Sequence, residues 1–174
     1  MMETRPMEFH DVLKTRRSIR GFKPDPVSQE LLDRVFEAVR IAPSACNLQP
    51  WKFLVLRTPE PKALVYEVYN RGAWLREAPM IVVALGNRKT AWKRLDGTSA
   101  HVIDVSIAME HLVLAAANEG LGTCWICAFD QAQLHHKLGL SSEWDVVAMT
   151  PLGYPDGEVR PFSRKALAEI VEYR

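Results

Sequence analysis

A chain of 174 residues with 48% hydrophobic and 25% charged side chains can bury about 70% of its unfolded surface without disulfides. Its 22 basic and 21 acidic residues leave a formal net charge of +1, which excludes a global field that would gather nucleic acid or anionic lipid. Three cysteines cannot all pair within one chain, the start MMETRP lacks the basic and then apolar run of a signal peptide, and no apolar stretch approaches the roughly 20 residues of a membrane helix; a cytoplasmic protein with no membrane attachment is expected. With no repeat, linker or composition shift, residues 1–174 are expected to form one domain.

The first segment with chemistry in it is KTRRSIRGFK, which places Lys14, Arg16, Arg17, Arg20 and Lys23 close together with Ser18 and Gly21 among them. Read as a loop, it can hold a phosphate, because guanidinium groups make paired, charge-assisted hydrogen bonds to phosphate oxygens and a serine hydroxyl adds a donor. A solvated basic turn is the plainer reading. Ser28 then caps a helix whose Leu31, Leu32, Val35, Phe36 and Val39 share one side, and Pro43 lies past its end.

The stretch APSACNLQPWKF follows, with Ser44, Asn47 and Gln49 in a loop pinned by Pro43 and Pro50, and Trp51 leading into a strand. Polar groups fixed beside an aromatic suit a planar heterocyclic ligand, although an ordinary helix-to-strand connection would also use them to satisfy its own backbone. KFLVL (52–56), MIVVAL (80–85) and VVAM (146–149) are short, apolar and rich in β-branched residues, as buried strands are. Residues 101–118 carry the longest helical pattern, apolar almost all round, so a second subunit is expected to cover one face. Asp130 caps a shorter helix ending near Gly139. Without regular βαβ alternation, the expected class is α+β: a layered sandwich with a central, mostly antiparallel sheet flanked by helices.

Between the last two helices, GLGTCWICAFD spaces Cys124 and Cys127 as C-x-x-C, open to reading as a redox dithiol or as two structural thiols. RPFSRK (160–165) adds a second basic cluster that could converge with the first on one anion. Trp125 stands where G-x-G-x-x-G needs its third glycine, so there is no dinucleotide fingerprint. His135 and His136 are adjacent, and His10, His101 and His111 are isolated, so no metal site is expected. No G-x-S-x-G is present to support acyl transfer.

RRSIRGF, APSACNLQPWKF, DVSIAMEHLVLAAANEGLGTCWICAFD and PLGYPDGEVRPFSRKALAEIV, in this order, make residues 8–172 resemble the FMN-dependent nitroreductase family. The resemblance implies an obligate homodimer with FMN at the subunit interface. Electrons would pass from NADH or NADPH through the flavin to a nitroaromatic, quinone or similar small electrophile by a ping-pong mechanism. It assigns Arg16, Arg17 and Ser18 to the phosphate and ribityl chain and Arg20 to the pyrimidine edge. Pro43 joins the cofactor-binding set, and Ser44, Ala45, Asn47 and Gln49 would come from the partner subunit. Arg160, Arg164 and Lys165 would close on the phosphate from the C-terminal side. Trp125, Ile126, Cys127 and Ala128 would line the reactive edge of the ring, with the amides of Cys127 and Ala128 near N5 and no catalytic side chain. Cys127 departs from the glycine common there. Under this resemblance the two cysteines serve packing and backbone geometry. A flavin carrier or sensor with little turnover, and family chemistry such as reductive dehalogenation or oxygen use, stay open alongside it.

Overall fold

All eight residues of Met80–Asn87 are buried, and the rest of the molecule is arranged on the two faces of that strand. In the computed structural model, which describes residues 7–157 and 161–174, the helices are α1 Phe9–Thr15, α2 Gln29–Arg40, α3 Pro59–Val68, α4 His101–Asn118 and α5 Gln131–Lys137. The strands are β1 Trp51–Leu56, β2 Met80–Asn87, β3 Gly122–Thr123 and β4 Trp144–Gly153. They form one antiparallel sheet in the order β1-β2-β4-β3.

Alternation along β2 assigns its side chains to two cores. Met80 and Val82 pack with Leu32, Val35 and Val39 of α2 and Leu112 and Val113 of α4. Ile81, Val83 and Leu85 face the other way, onto Val65 of α3 and Leu134 of α5. A strand covered by helices on both faces must be apolar throughout, which explains a run such as MIVVAL in an antiparallel sheet. The layers are therefore helix, sheet, helix. A register shift between Ala84 and Leu85 locally breaks the pairing with β4. Just beyond it, His101 joins α4 to the sheet, its Nε2 lying 2.9 Å from Asp145 Oδ2 and its Nδ1 2.9 Å from Ser99 Oγ.

Several expectations change. Lys14 lies in α1, so the basic segment is helix up to Thr15 and open chain only from Arg16. α3 was concealed by Pro59 and Pro61, which look like turn residues yet occupy a first helical turn, where no intrahelical N–H is needed. β4 runs from Trp144 to Gly153, through Pro151. α4 buries Val105, Ala108, Met109, Leu112, Val113 and Ala116 but leaves Val102 and Ile103 48% and 46% exposed, so one chain covers only part of this apolar helix. No helix among the described residues is long and apolar enough to cross a membrane.

Ser28 Oγ accepts the Leu31 N–H at 3.2 Å, the cap expected from its position. Leu112 is fully buried where α4 meets α2 and the sheet. Leu112→Ala should cost about 3 kcal/mol, read as a lower denaturant midpoint at unchanged slope.

Candidate functional site

Beyond α1 the chain runs along the far edge of the sheet. Ser18 bridges to Thr123, Ile19 N–H donates to the Thr123 carbonyl at 2.8 Å, Lys23 N–H to the Tyr154 carbonyl at 3.0 Å, and Asp156 N–H returns a bond to the Gly21 carbonyl at 2.9 Å. Two glycines permit this approach. A Cβ on Gly21 would lie 2.6 Å from the Asp156 carbonyl oxygen, and one on Gly122 would lie 2.9 Å from the Ile19 side chain. The glycines of SIRGF and GLGT are thus the contact points of one seam.

The seam holds Arg16 and Arg17 half-buried and leaves Ser18 and Arg20 exposed. Arg16, Arg17, Ile19, Leu121, Thr123 and Pro155 help line a cavity of about 200 Å³. From the other end of the chain, Phe162 presents its ring to the Arg17 guanidinium at 3.7 Å and to the Arg164 guanidinium at 4.7 Å. The two basic clusters therefore meet on one aromatic ring, with cations held by its π-face. Arg17 Nη1 also donates to the Arg16 carbonyl at 2.8 Å and to the Lys14 carbonyl. Lys165 is exposed nearby in sequence, and Arg160 lies outside the described residues.

Past β3, extended backbone carries Cys124 inward, Trp125 half-buried, Ile126 inward and Cys127 outward. Ile126 exchanges both backbone bonds with Met149, at 2.9 and 3.0 Å. Among the described residues no acceptor engages the N–H groups of Cys127 and Ala128. The Cys124 amide donates to Thr150 Oγ1 at 3.0 Å, whereas the exposed Cys127 Sγ accepts from Trp125 Nε1 at 3.1 Å. Both sulfurs are free thiols. Burial pushes the Cys124 thiol above its ordinary 9.0, opposed by the Arg20 charge and a hydrogen bond with Ser18. This is the reverse of the low-pKa thiol a dithiol oxidant needs.

The third piece is Ser44–Gln49, where Cys46, Asn47 and Gln49 all adopt positive φ, at 50°, 55° and 47°. Each non-glycine residue held left-handed costs about 1 kcal/mol or more. Inside the turn, Gln49 N–H donates to Ser44 Oγ at 2.9 Å and Gln49 Nε2 to Asn47 Oδ1 at 2.8 Å. Pro43 is exposed at its entrance. Outside it, Ala45 N–H donates to Asp104 Oδ1 at 3.0 Å.

Sequence reasoning missed Asp104, Phe162 and Tyr69. An acidic residue at a core-facing position of an otherwise apolar helix is a signal that could have found Asp104. Nothing local marks Tyr69, whose ring meets Trp74 edge-on at 6.1 Å. Burial raises its hydroxyl pKa, as does Cys124, while Arg20 and Arg71 lower it.

The Nitroreductase family model matches residues 13–71 and 59–154, which include the Arg16–Lys23 side of the seam, the strained loop and the Cys124–Ala128 strip. The chain belongs to the nitroreductase family. This nitroreductase-family chain is 32% identical to an NADH dehydrogenase of Thermus thermophilus, over 91% of the chain and 92% of that protein. It is 27% identical to iodotyrosine deiodinase 1 of Rattus norvegicus, over 98% of the chain and 70% of the deiodinase. Its fold matches a protein of Exiguobacterium sibiricum solved in complex with FMN at a TM-score of 0.86 and 21% identity, covering 98% of the chain and 99% of the other.

Iodoacetamide at pH 8 should alkylate Cys46 and Cys127 and spare Cys124, read by peptide mass. Because Cys124 holds its proton more tightly folded than unfolded, its stability contribution is full below pH 9.0 and lost as pH rises further. Above that value Cys124→Ala should show a shallower fall of stability with pH than the parent in denaturant titrations.

Proposed function

We propose that the chain is an FMN-dependent oxidoreductase that takes electrons from NADH or NADPH and passes them to a nitroaromatic, quinone or similar electrophilic acceptor. The observation that carries this reading is the meeting of Arg17 and Arg164 on Phe162, beside Arg16, along the same sheet edge as the unengaged amides of Cys127 and Ala128. Among the described residues these guanidinium groups have no carboxylate partner, which suits a phosphate dianion. Backbone donors facing outward from a strand suit the polar edge of a flat ring and stabilise developing charge without a titratable group.

The residues fit the cofactor as follows. Arg16, Arg17, Ser18, Arg164 and Lys165 would hold the phosphate end, with Arg160 assigned there on family resemblance alone. Arg20 would serve the pyrimidine edge, and the Trp125–Ala128 backbone would line the ring. Bound FMN would supply the two-electron carrier between the nicotinamide and the acceptor. The protein's part is to orient the ring, exclude water from its buried face and offer the Cys127 and Ala128 amides; no side chain is assigned a proton-transfer role. The Thermus relative's name and the FMN in the Exiguobacterium structure support this reading.

The site is completed by a second copy, which brings Pro43, Ser44, Ala45, Asn47 and Gln49 across the interface. Two apolar surfaces support this homodimer: Val102 and Ile103 on α4, and the segment 161–174, in which Leu167 and Ile170 are each 66% exposed. Residues 1–174 act as one domain, and its free thiols suit the reducing cytoplasm. Deiodinase similarity favours reductive dehalogenation as a second reading.

Purified protein should be yellow or bind added FMN stoichiometrically, and anaerobic mixing with NADH or NADPH should bleach the flavin band. Menadione, nitrofurazone and iodotyrosine as acceptors separate the two readings. A colourless protein that binds no FMN overturns both. Arg16→Ala should lose a charge-assisted contact of roughly 1.5–3 kcal/mol and weaken FMN binding about ten-fold or more, measured by fluorescence titration.

A further inference from the structure

The Ser44–Gln49 turn is the most strained backbone in the described chain, and its anchorage is sparse. Ser44 and Gln49 bond to each other, Asn47 and Leu48 bond back to Ser44 and Ala45, and Trp51 N–H bonds to the Gln49 carbonyl. All of these lie within the connection from α2 to β1. Among the described residues, the bond that ties the turn to another element is Ala45 N–H to Asp104 Oδ1, across to α4.

Asp104 is an expensive anchor. It is 2% exposed, and its second oxygen, Oδ2, is buried with no partner among the described residues. A carboxylate removed from water for one amide bond destabilises the fold relative to an apolar side chain of the same shape. Leucine has the same number and branching of side-chain atoms and would suit this helix, whose neighbouring positions include Val105 and Ala108. A group that lowers stability at an accessible alternative calls for a positional reason.

We propose that Asp104 is a positioning residue for the cofactor site: through Ala45 it holds Cys46, Asn47 and Gln49 left-handed, so that the Asn47 and Gln49 amides are presented to the ligand before it arrives. This rests on the reading of the turn as flavin-contacting. Preorganisation of this kind raises affinity by removing the ordering cost from the binding step.

The experiment opposes stability to affinity. Asp104→Leu removes both the acceptor and the desolvation cost, so the protein should be as stable as the parent or more so. It should nevertheless bind FMN about ten-fold more weakly. Asp104→Asn, which keeps an Oδ1 acceptor, should stay within about three-fold of the parent. Hydrogen exchange of the unliganded protein should be faster over residues 45–49 in Asp104→Leu and near parental in Asp104→Asn. Should Asp104→Leu fail to fold, Ala45→Pro deletes the donor instead, at a first helical position after an extended Ser44 that proline tolerates. It should bind FMN about ten-fold more weakly. Parental FMN affinity in Asp104→Leu or Ala45→Pro overturns the positioning role and leaves the flavin reading standing. A parent protein that binds no FMN overturns the flavin reading, and the positioning role with it.

Discussion

The candidate site depends on a backbone pairing that fixes where its side chains stand. Ile19 N–H to the Thr123 carbonyl, with the Ser18–Thr123 bridge beside it, docks the chain after α1 onto the shortest strand of the sheet. Without that seam Arg16, Arg17 and Arg20 would be three mobile guanidinium arms, and none would have a fixed relation to the sheet. With it, Arg17 reaches Phe162 from one end of the chain as Arg164 does from the other. The glycines Gly21 and Gly122 enter as conditions for this contact, since any side chain there meets backbone or Ile19 at under 3 Å. Cation placement is thus encoded partly in residues that carry no charge.

The layers were legible because burial on both faces leaves a simple trace: an uninterrupted apolar run for β2 and a one-sided apolar stripe for α2. Ser28 and Asp130 marked helix starts because their side chains accept the Leu31 and Gln133 amides. α1 and α3 were not legible, the first because its basic residues looked like loop and the second because its prolines looked like turn. β3 is only two residues long, and its existence is decided by its partner, not by its own composition. The same distinction separates the parts of the site. Arginines and amide side chains announce themselves by type, whereas the φ values of Cys46 and Gln49 leave no mark in residue type, and the Arg17–Phe162 contact joins segments far apart in sequence.

Strain and stability divide unequally over the molecule. The two cores use apolar side chains in alternation, and among the described residues a single buried side-chain oxygen or nitrogen lacks a partner. The departures from that economy cluster in the Ser44–Gln49 turn and in the acid beneath it, where three left-handed residues occur together with a buried oxygen that has no partner among the described residues. Independent defects would be scattered. Their coincidence at one hydrogen bond is what points to a segment shaped for binding.

The C-x-x-C spacing shows why a motif has to be judged with its backbone. On a helix, residues three apart share a face, so two such thiols can meet and the helix N-terminus can hold one as thiolate. Here the same spacing lies on extended chain, where residues three apart point to opposite sides. Cys124 accordingly goes into the sheet edge, its amide on Thr150 and its thiol near Ser18 and Arg20, while Cys127 faces outward against Trp125. Alternation also decides what the outward face offers. With Ile126 locked to Met149 by two backbone bonds, the amides of Cys127 and Ala128 that follow find no acceptor among the described residues. Exposed donors at the end of a fixed ladder are rigid without being spent, which is the property a ring-binding edge requires.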